Sequence, residues 1–159
     1  MKIALSVIKD LDNGSLNCSL MEEKIIEAAY NGADIVFFSK SVFECDLLDI
    51  GEYDELVNYC KEYAITIAFG YDGIYKAYDY NAREIFDSQK QNCFNFDGIN
   101  FYYSDEVKDS FTLLSDNKKV KYGFWINRYD ETENGGAYFN NGEEFLIEEK
   151  KEEIIYINI

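Results

Sequence analysis

Apolar and polar positions are most clearly ordered near the start of the chain. Lys2 to Ile8 is almost continuously apolar after its first residue and predicts a strand. Leu20, Ile25, Ile26, Ala29 and Tyr30 then recur at helical spacing, with Glu22, Glu23, Lys24 and Glu27 on the other side. Ser19 and Glu22 match the S-x-x-E capping box, in which each side chain satisfies a backbone N–H left open at a helix start. Asn31-Gly32 is the matching stop, because glycine adopts the left-handed conformation that closes a helix. Ile35-Val36-Phe37-Phe38 follows without alternation, as in a strand covered on both faces. Together these segments predict a β-α-β unit.

Further along the signals are shorter. Asp10 to Asn17 reads as a polar loop with Asn13-Gly14 as its turn, and residues 39–53 as loop or broken helix. Asp54 is expected to cap a helix from Glu55 to Tyr63 that turns Leu56, Val57, Tyr59 and Cys60 inward. Ile65 to Phe69 predicts a third strand, stopped by Gly70. Tyr80 to Phe86 and Cys93 to Tyr103 predict more strand, the latter folded at Asp97-Gly98. Glu106 to Leu114 is a candidate short helix, and Lys119 to Asn127 alternates as a strand does. Gly136 to Phe139 and Glu144 to Glu148 predict a hairpin about Asn140-Asn141-Gly142, and Glu153 to Ile159 a last strand. No repeat or linker interrupts the series, so the expectation is one layered α/β domain over residues 1–159.

Composition narrows the chemistry. The chain is 47% hydrophobic and 17% aromatic, enough for a substantial core. It contains no histidine, which excludes every His-based relay or metal site, and no proline. Its net charge of −16 argues against nucleic acid and anionic membrane as partners, since both require a basic footprint. No stretch approaches the roughly 20 apolar residues of a membrane span, and the first residues lack a signal-peptide pattern. A cytoplasmic location is the expectation. Cys18, Cys45, Cys60 and Cys93 form no C-x-x-C pair and read as reduced thiols, not a disulfide framework or zinc site. Asp10, Asp12, Asp46, Asp49, Glu52 and Asp54 lack calcium-loop spacing, so neither metal nor cofactor is expected.

Several segments resemble the nitrilase, or carbon–nitrogen hydrolase, superfamily. KIALSVI followed by EEKIIEAAYNGADIVFFSK is similar to its opening strand, helix and "GAD-apolar-F-P-E" strand. CKEYAITIAFG resembles the next helix and strand, and Tyr80-Asn81-Ala82 its "YNSA" stretch. WINRYDETENGGAYFNNGEEFL and EEIIYINI resemble its late segment and closing strand. The resemblance implies a layered α-β-β-α sandwich with mixed sheets, here shortened, and possible pairing of subunits sheet to sheet. It also implies a Glu base, a Lys that stabilises the tetrahedral intermediate, and a Cys nucleophile acting on an amide or nitrile carbon.

Carried over by position, the family's Pro-Glu falls on Ser39-Lys40, where an ammonium replaces a proton acceptor. The catalytic Lys has no match around Gln89 to Phe96. The nucleophile's strand end falls near Gly98 to Asp105, with Tyr103 or Ser104 in place of Cys; a second alignment, on Ile126 to Asp130, also lacks it.

The site candidates are therefore vestigial: Ser39, Lys40, Cys45, Ser104 and Asp105. Lys40 follows a buried strand, where α/β folds place ligand groups, yet a solvated loop lysine is the simpler reading. Ser104-Asp105 lacks a residue to deprotonate the hydroxyl and fits a helix cap better. Cys60 fits a core position, and Cys45 is the one thiol in the loop after Lys40. The expected function is binding, as a homodimer or to another protein. The alternatives are a hydrolase with a rearranged site at Cys45 or Ser104, and an acidic protein that occupies a basic or nucleic-acid-binding partner.

Overall fold

A computed structural model describes residues 1–43, 47–91, 93–103, 122–127, 136–140, 144–147 and 152–159. The opening unit consists of β1 (Lys2–Val7), α1 (Gly14–Tyr30) and β2 (Ile35–Phe37), followed by α2 (Ile50–Glu62) and β3 (Thr66–Tyr71). β1, β2 and β3 are parallel neighbours in that order. β4 (Ile74–Tyr78) and β5 (Glu84–Asp87) extend the sheet antiparallel on one side, and β11 (Glu153–Asn158) pairs antiparallel with β1 on the other. The resulting mixed sheet has six strands, ordered β11-β1-β2-β3-β4-β5.

The second sheet is ordered β10-β9-β8-β7-β6. Its strands are β6 (Phe94–Phe96), β7 (Ile99–Tyr103), β8 (Tyr122–Asn127), β9 (Gly136–Asn140) and β10 (Glu144–Ile147). Only β7 and β8 pair in parallel.

β2 sits in the middle of the layers. Val36 and Phe38 join the core beneath the helices, with Met21, Ile25, Leu56 and Cys60. Ile35 and Phe37 point the other way, into a core shared with Phe94, Phe101 and Ile126 of the second sheet. Phe37 meets Phe94 and Phe101 with ring centroids 6.2 and 5.6 Å away. The unbroken apolar run is thus a strand buried from both sides, as its lack of alternation predicts.

The helix starts differ from expectation. α1 begins at Gly14, and the Asn13 side chain accepts the Leu16 N–H at 2.9 Å. Asn13-Gly14 is a cap, not a turn, since an Asx side chain supports either arrangement. Ser19 lies inside the helix and bonds back to the Ser15 carbonyl. The buried stripe is Asn17, Cys18, Met21, Ile25 and Ala28, so Ile26 and Tyr30 are exposed. Met21 and Ile25 fill the core under this stripe, while Asn17 is held in it by its hydrogen bonds to Asp10 and Val42. α2 starts at Ile50, with a reciprocal box between Asp49 and Glu52 in place of a cap at Asp54. Leu56, Tyr59 and Cys60 are buried and Val57 partly so.

β3 runs through Gly70 instead of stopping there. β4 is a strand that the sequence pattern does not predict, and Tyr80-Asn81-Ala82 forms the turn before β5 instead of strand. Asp97-Gly98 makes the expected hairpin turn, with φ of 50° and 77°. The candidate helix from Glu106 to Leu114 lies outside the described residues.

Candidate functional site at the end of β2

Ser39 and Lys40 continue directly from β2 and remain attached to β3. The Phe38 N–H donates to the Ala68 carbonyl at 2.8 Å, and the Gly70 N–H donates to the Ser39 carbonyl at 3.0 Å. Gly70 permits this contact. A Cβ there would lie 1.6 Å from the Lys40 carbonyl oxygen and 2.2 Å from its carbon. Beneath the joint, the buried Tyr75 hydroxyl donates to the Phe38 carbonyl at 2.9 Å and lies 3.3 Å from that of Ala68.

Ser39 is 2% exposed. Its hydroxyl accepts the Ser41 N–H at 3.0 Å and lies 2.8 Å from the Ser41 hydroxyl. These bonds form a local turn that directs the Ser39 oxygen back to its own loop. Lys40 is half-buried.

A second polar joint fastens this loop to the one after β1. The buried Asn17 amide donates to the Asp10 carboxylate at 2.7 Å and to the Val42 carbonyl at 3.3 Å, while its oxygen accepts the Leu11 N–H at 3.0 Å. Asp10 also accepts the Asp12 N–H at 3.1 Å. The sequence pattern alone reads Asp10 and Asn17 as parts of an ordinary polar loop. Closely spaced Asx residues between a strand and a helix were the available sign, since their side chains readily bond nearby backbone.

The described thiols are poorly suited to nucleophilic attack. Burial pushes the Cys18 thiol up to about 12, with the carboxylates of Glu52, Glu55 and Glu22 adding to the effect. Burial likewise raises Cys60 to about 12, and its thiol donates to the Tyr78 carbonyl at 3.4 Å. Cys93 is half-buried and also raised by burial. A thiol held protonated at neutral pH is a weak nucleophile.

In the segment where the resemblance would set the family's lysine, Lys90 follows β5 and is held by Asp87 at 2.8 Å and Glu84 at 2.9 Å. Lys76 reaches Glu84 at 3.2 Å. The hydrogen bond from Lys90 is the main reason both carboxyls sit below their usual range. Among the described residues, no three His, Cys, Asp or Glu side chains are grouped to hold a metal.

Of the sequence candidates, Ser39 and Lys40 are adjacent in this joint, whereas Cys45, Ser104 and Asp105 lie outside the described residues. β7 ends at Tyr103, immediately before Ser104. The Phe37–Phe101 contact places β7 across the sheet interface from β2.

No protein-family model and no curated protein matches the sequence. Solved structures do match the fold. An amidase of the nitrilase superfamily from Nesterenkonia sp. AN1 aligns over 100% of this chain and 90% of its own, at 11% identity and a TM-score of 0.68. The fold is nitrilase-like. Glutamine-dependent NAD+ synthetase from Acinetobacter baumannii aligns at 15% identity and a TM-score of 0.69, covering 98% of this chain. The nitrilase-like chain spans 44% of that synthetase. In another structure of the Nesterenkonia amidase, acrylamide has added to the active-site cysteine; this form aligns at 12% identity and a TM-score of 0.66, over 100% of this chain and 93% of its own.

Proposed function

We propose that this chain is a single nitrilase-like domain that has lost the hydrolytic constellation and acts by binding, as a homodimer or against another protein. The observation that carries this reading is the joint at Ser39-Lys40. The resemblance assigns a general base to this place, directly after β2. A lysine ammonium has three donors and no lone pair with which to accept a proton. The neighbouring serine hydroxyl is 2% exposed and bonded within its own turn. The three described thiols are all shifted away from the thiolate form, so they do not substitute for an activated nucleophile.

The reading is tested by incubating the full chain with a panel of aliphatic and aromatic amides and nitriles and measuring ammonia release. The expected result is release at the buffer rate for every compound. Turnover that disappears in Cys45→Ala or Ser104→Ala would instead establish a hydrolase with a rearranged site.

A further inference from the structure

We propose that the first turns of α1 and α2 together form a docking surface for a basic, amphipathic segment of a partner protein. The inference rests on the reading of this chain as a binding protein and gives that binding a place and a chemistry.

The two turns are held side by side by a hydrogen bond from the Ser15 hydroxyl to the Glu52 carboxylate. Leu11 is tied to the first turn of α1 through Asn17, and Leu48, just before α2, receives the Tyr71 hydroxyl at 2.9 Å. Around this junction four large apolar residues face water: Leu11 at 38% exposure, Leu16 at 52%, Leu47 at 47% and Ile50 at 84%. Single exposed apolar residues need no explanation, but several gathered from two loops and two helix starts suggest a contact site. Local structure does not account for Ile50, because a β-branched residue is a mediocre helix former and this one covers nothing.

Charge selects the occupant. Residues 10–23 and 47–60 contain no lysine or arginine, and the nearest basic residues in sequence are Lys9, Lys24, Lys40 and Lys61. The capping box accounts for Asp49 and Glu52. It leaves Asp12, Asp54 and Glu55 exposed beside the apolar residues without a capping role. A second copy of the chain, also carrying −16, is disfavoured on this face, as are nucleic acid and anionic membrane. The complementary occupant has leucine-like side chains on one stripe and lysine or arginine flanking it, which is how a helix lying on an apolar strip is read.

A synthetic helical peptide of leucine and lysine, arranged as one apolar stripe, serves as the probe, with a scrambled peptide of identical composition as control. Binding to the full chain is followed by titration calorimetry and by NMR shifts. Shifts are expected at Leu11, Leu16, Leu47 and Ile50, and not at Ile26 and Tyr30, which are exposed farther along α1. The Leu16→Ser/Ile50→Ser variant is expected to weaken binding about tenfold or more. Asp54→Asn/Glu55→Gln is expected to weaken it and to flatten its salt dependence. Should the first variant not fold, the charge variant and the shift map decide the matter.

Equal binding of the scrambled peptide, shifts centred elsewhere, or no binding would overturn the docking surface. None of these outcomes would restore hydrolysis, which the amide and nitrile panel measures separately.

Discussion

The loop entered from β2 and the first turns of α1 and α2 occupy similar positions, since both follow the C-terminal ends of parallel strands. They are built in opposite ways. At Ser39-Lys40 the backbone stays paired with β3, the hydroxyl is turned inward, and Gly70 removes the last atom that would keep the strands apart. At the helix starts, leucine and isoleucine side chains face water within an acidic surround. The contrast is between a loop whose backbone is locked to its neighbouring strand and one whose apolar side chains face water, and the proposed binding function draws on that difference.

The contrast is broken most severely at Gly70. Gly70→Ala is expected to lower unfolding free energy by about 3 kcal/mol or more, because the new methyl would meet Lys40 backbone that cannot simply rotate away. Urea midpoints of the two proteins measure it. If the alanine variant is as stable as the parent, the two strands do not approach as closely as described.

A second effect is expected at high pH. The folded state holds the Cys18 and Cys60 protons up to about 12, whereas an unfolded cysteine ionises near about 8.5. The native state therefore binds more protons between these values, and stability falls as pH rises through them. Thermal unfolding should shift downward above about pH 9, and Cys60→Ala should flatten that slope even if it lowers stability at neutral pH.

Tyr75→Phe is a smaller perturbation. It removes the hydroxyl that bonds the Phe38 carbonyl and is expected to cost about 1–2 kcal/mol in urea unfolding. Leu16→Ser/Ile50→Ser should change stability least, within about 0.5 kcal/mol, because both side chains are substantially exposed. A large loss there would mean that the apolar residues serve the fold and not a partner.

The parts of the fold legible in the sequence were those with local causes. Ile35 to Phe38 had to be buried on both faces, and Asp97-Gly98 supplied the positive φ of a tight hairpin. Asp72-Gly73 carries the same signal, with φ of 51° and 72°, but the expected stop at Gly70 obscured the strand pair around it. The buried side of α1 is not legible from hydrophobicity alone, because Ile26 and Tyr30 are more hydrophobic than Asn17, which is buried through its hydrogen bonds to the neighbouring loops. At the candidate site, Ser39 and Lys40 were legible as the residues that directly follow β2. The clamp between Asp10, Asn17 and Val42 was not, because it depends on two loops meeting in space.

The central claim is that no activated nucleophile works beside the Ser39-Lys40 joint. Acrylamide, which adds to the active-site cysteine of the Nesterenkonia amidase, tests this when uptake at each cysteine is timed by mass spectrometry at neutral pH. The account predicts that Cys45 is modified no faster than a cysteine in an unstructured peptide, and that Cys18 and Cys60 are modified only on unfolding. Uptake at Cys45 more than about tenfold faster than the peptide, and lost in Lys40→Ala, would contradict it.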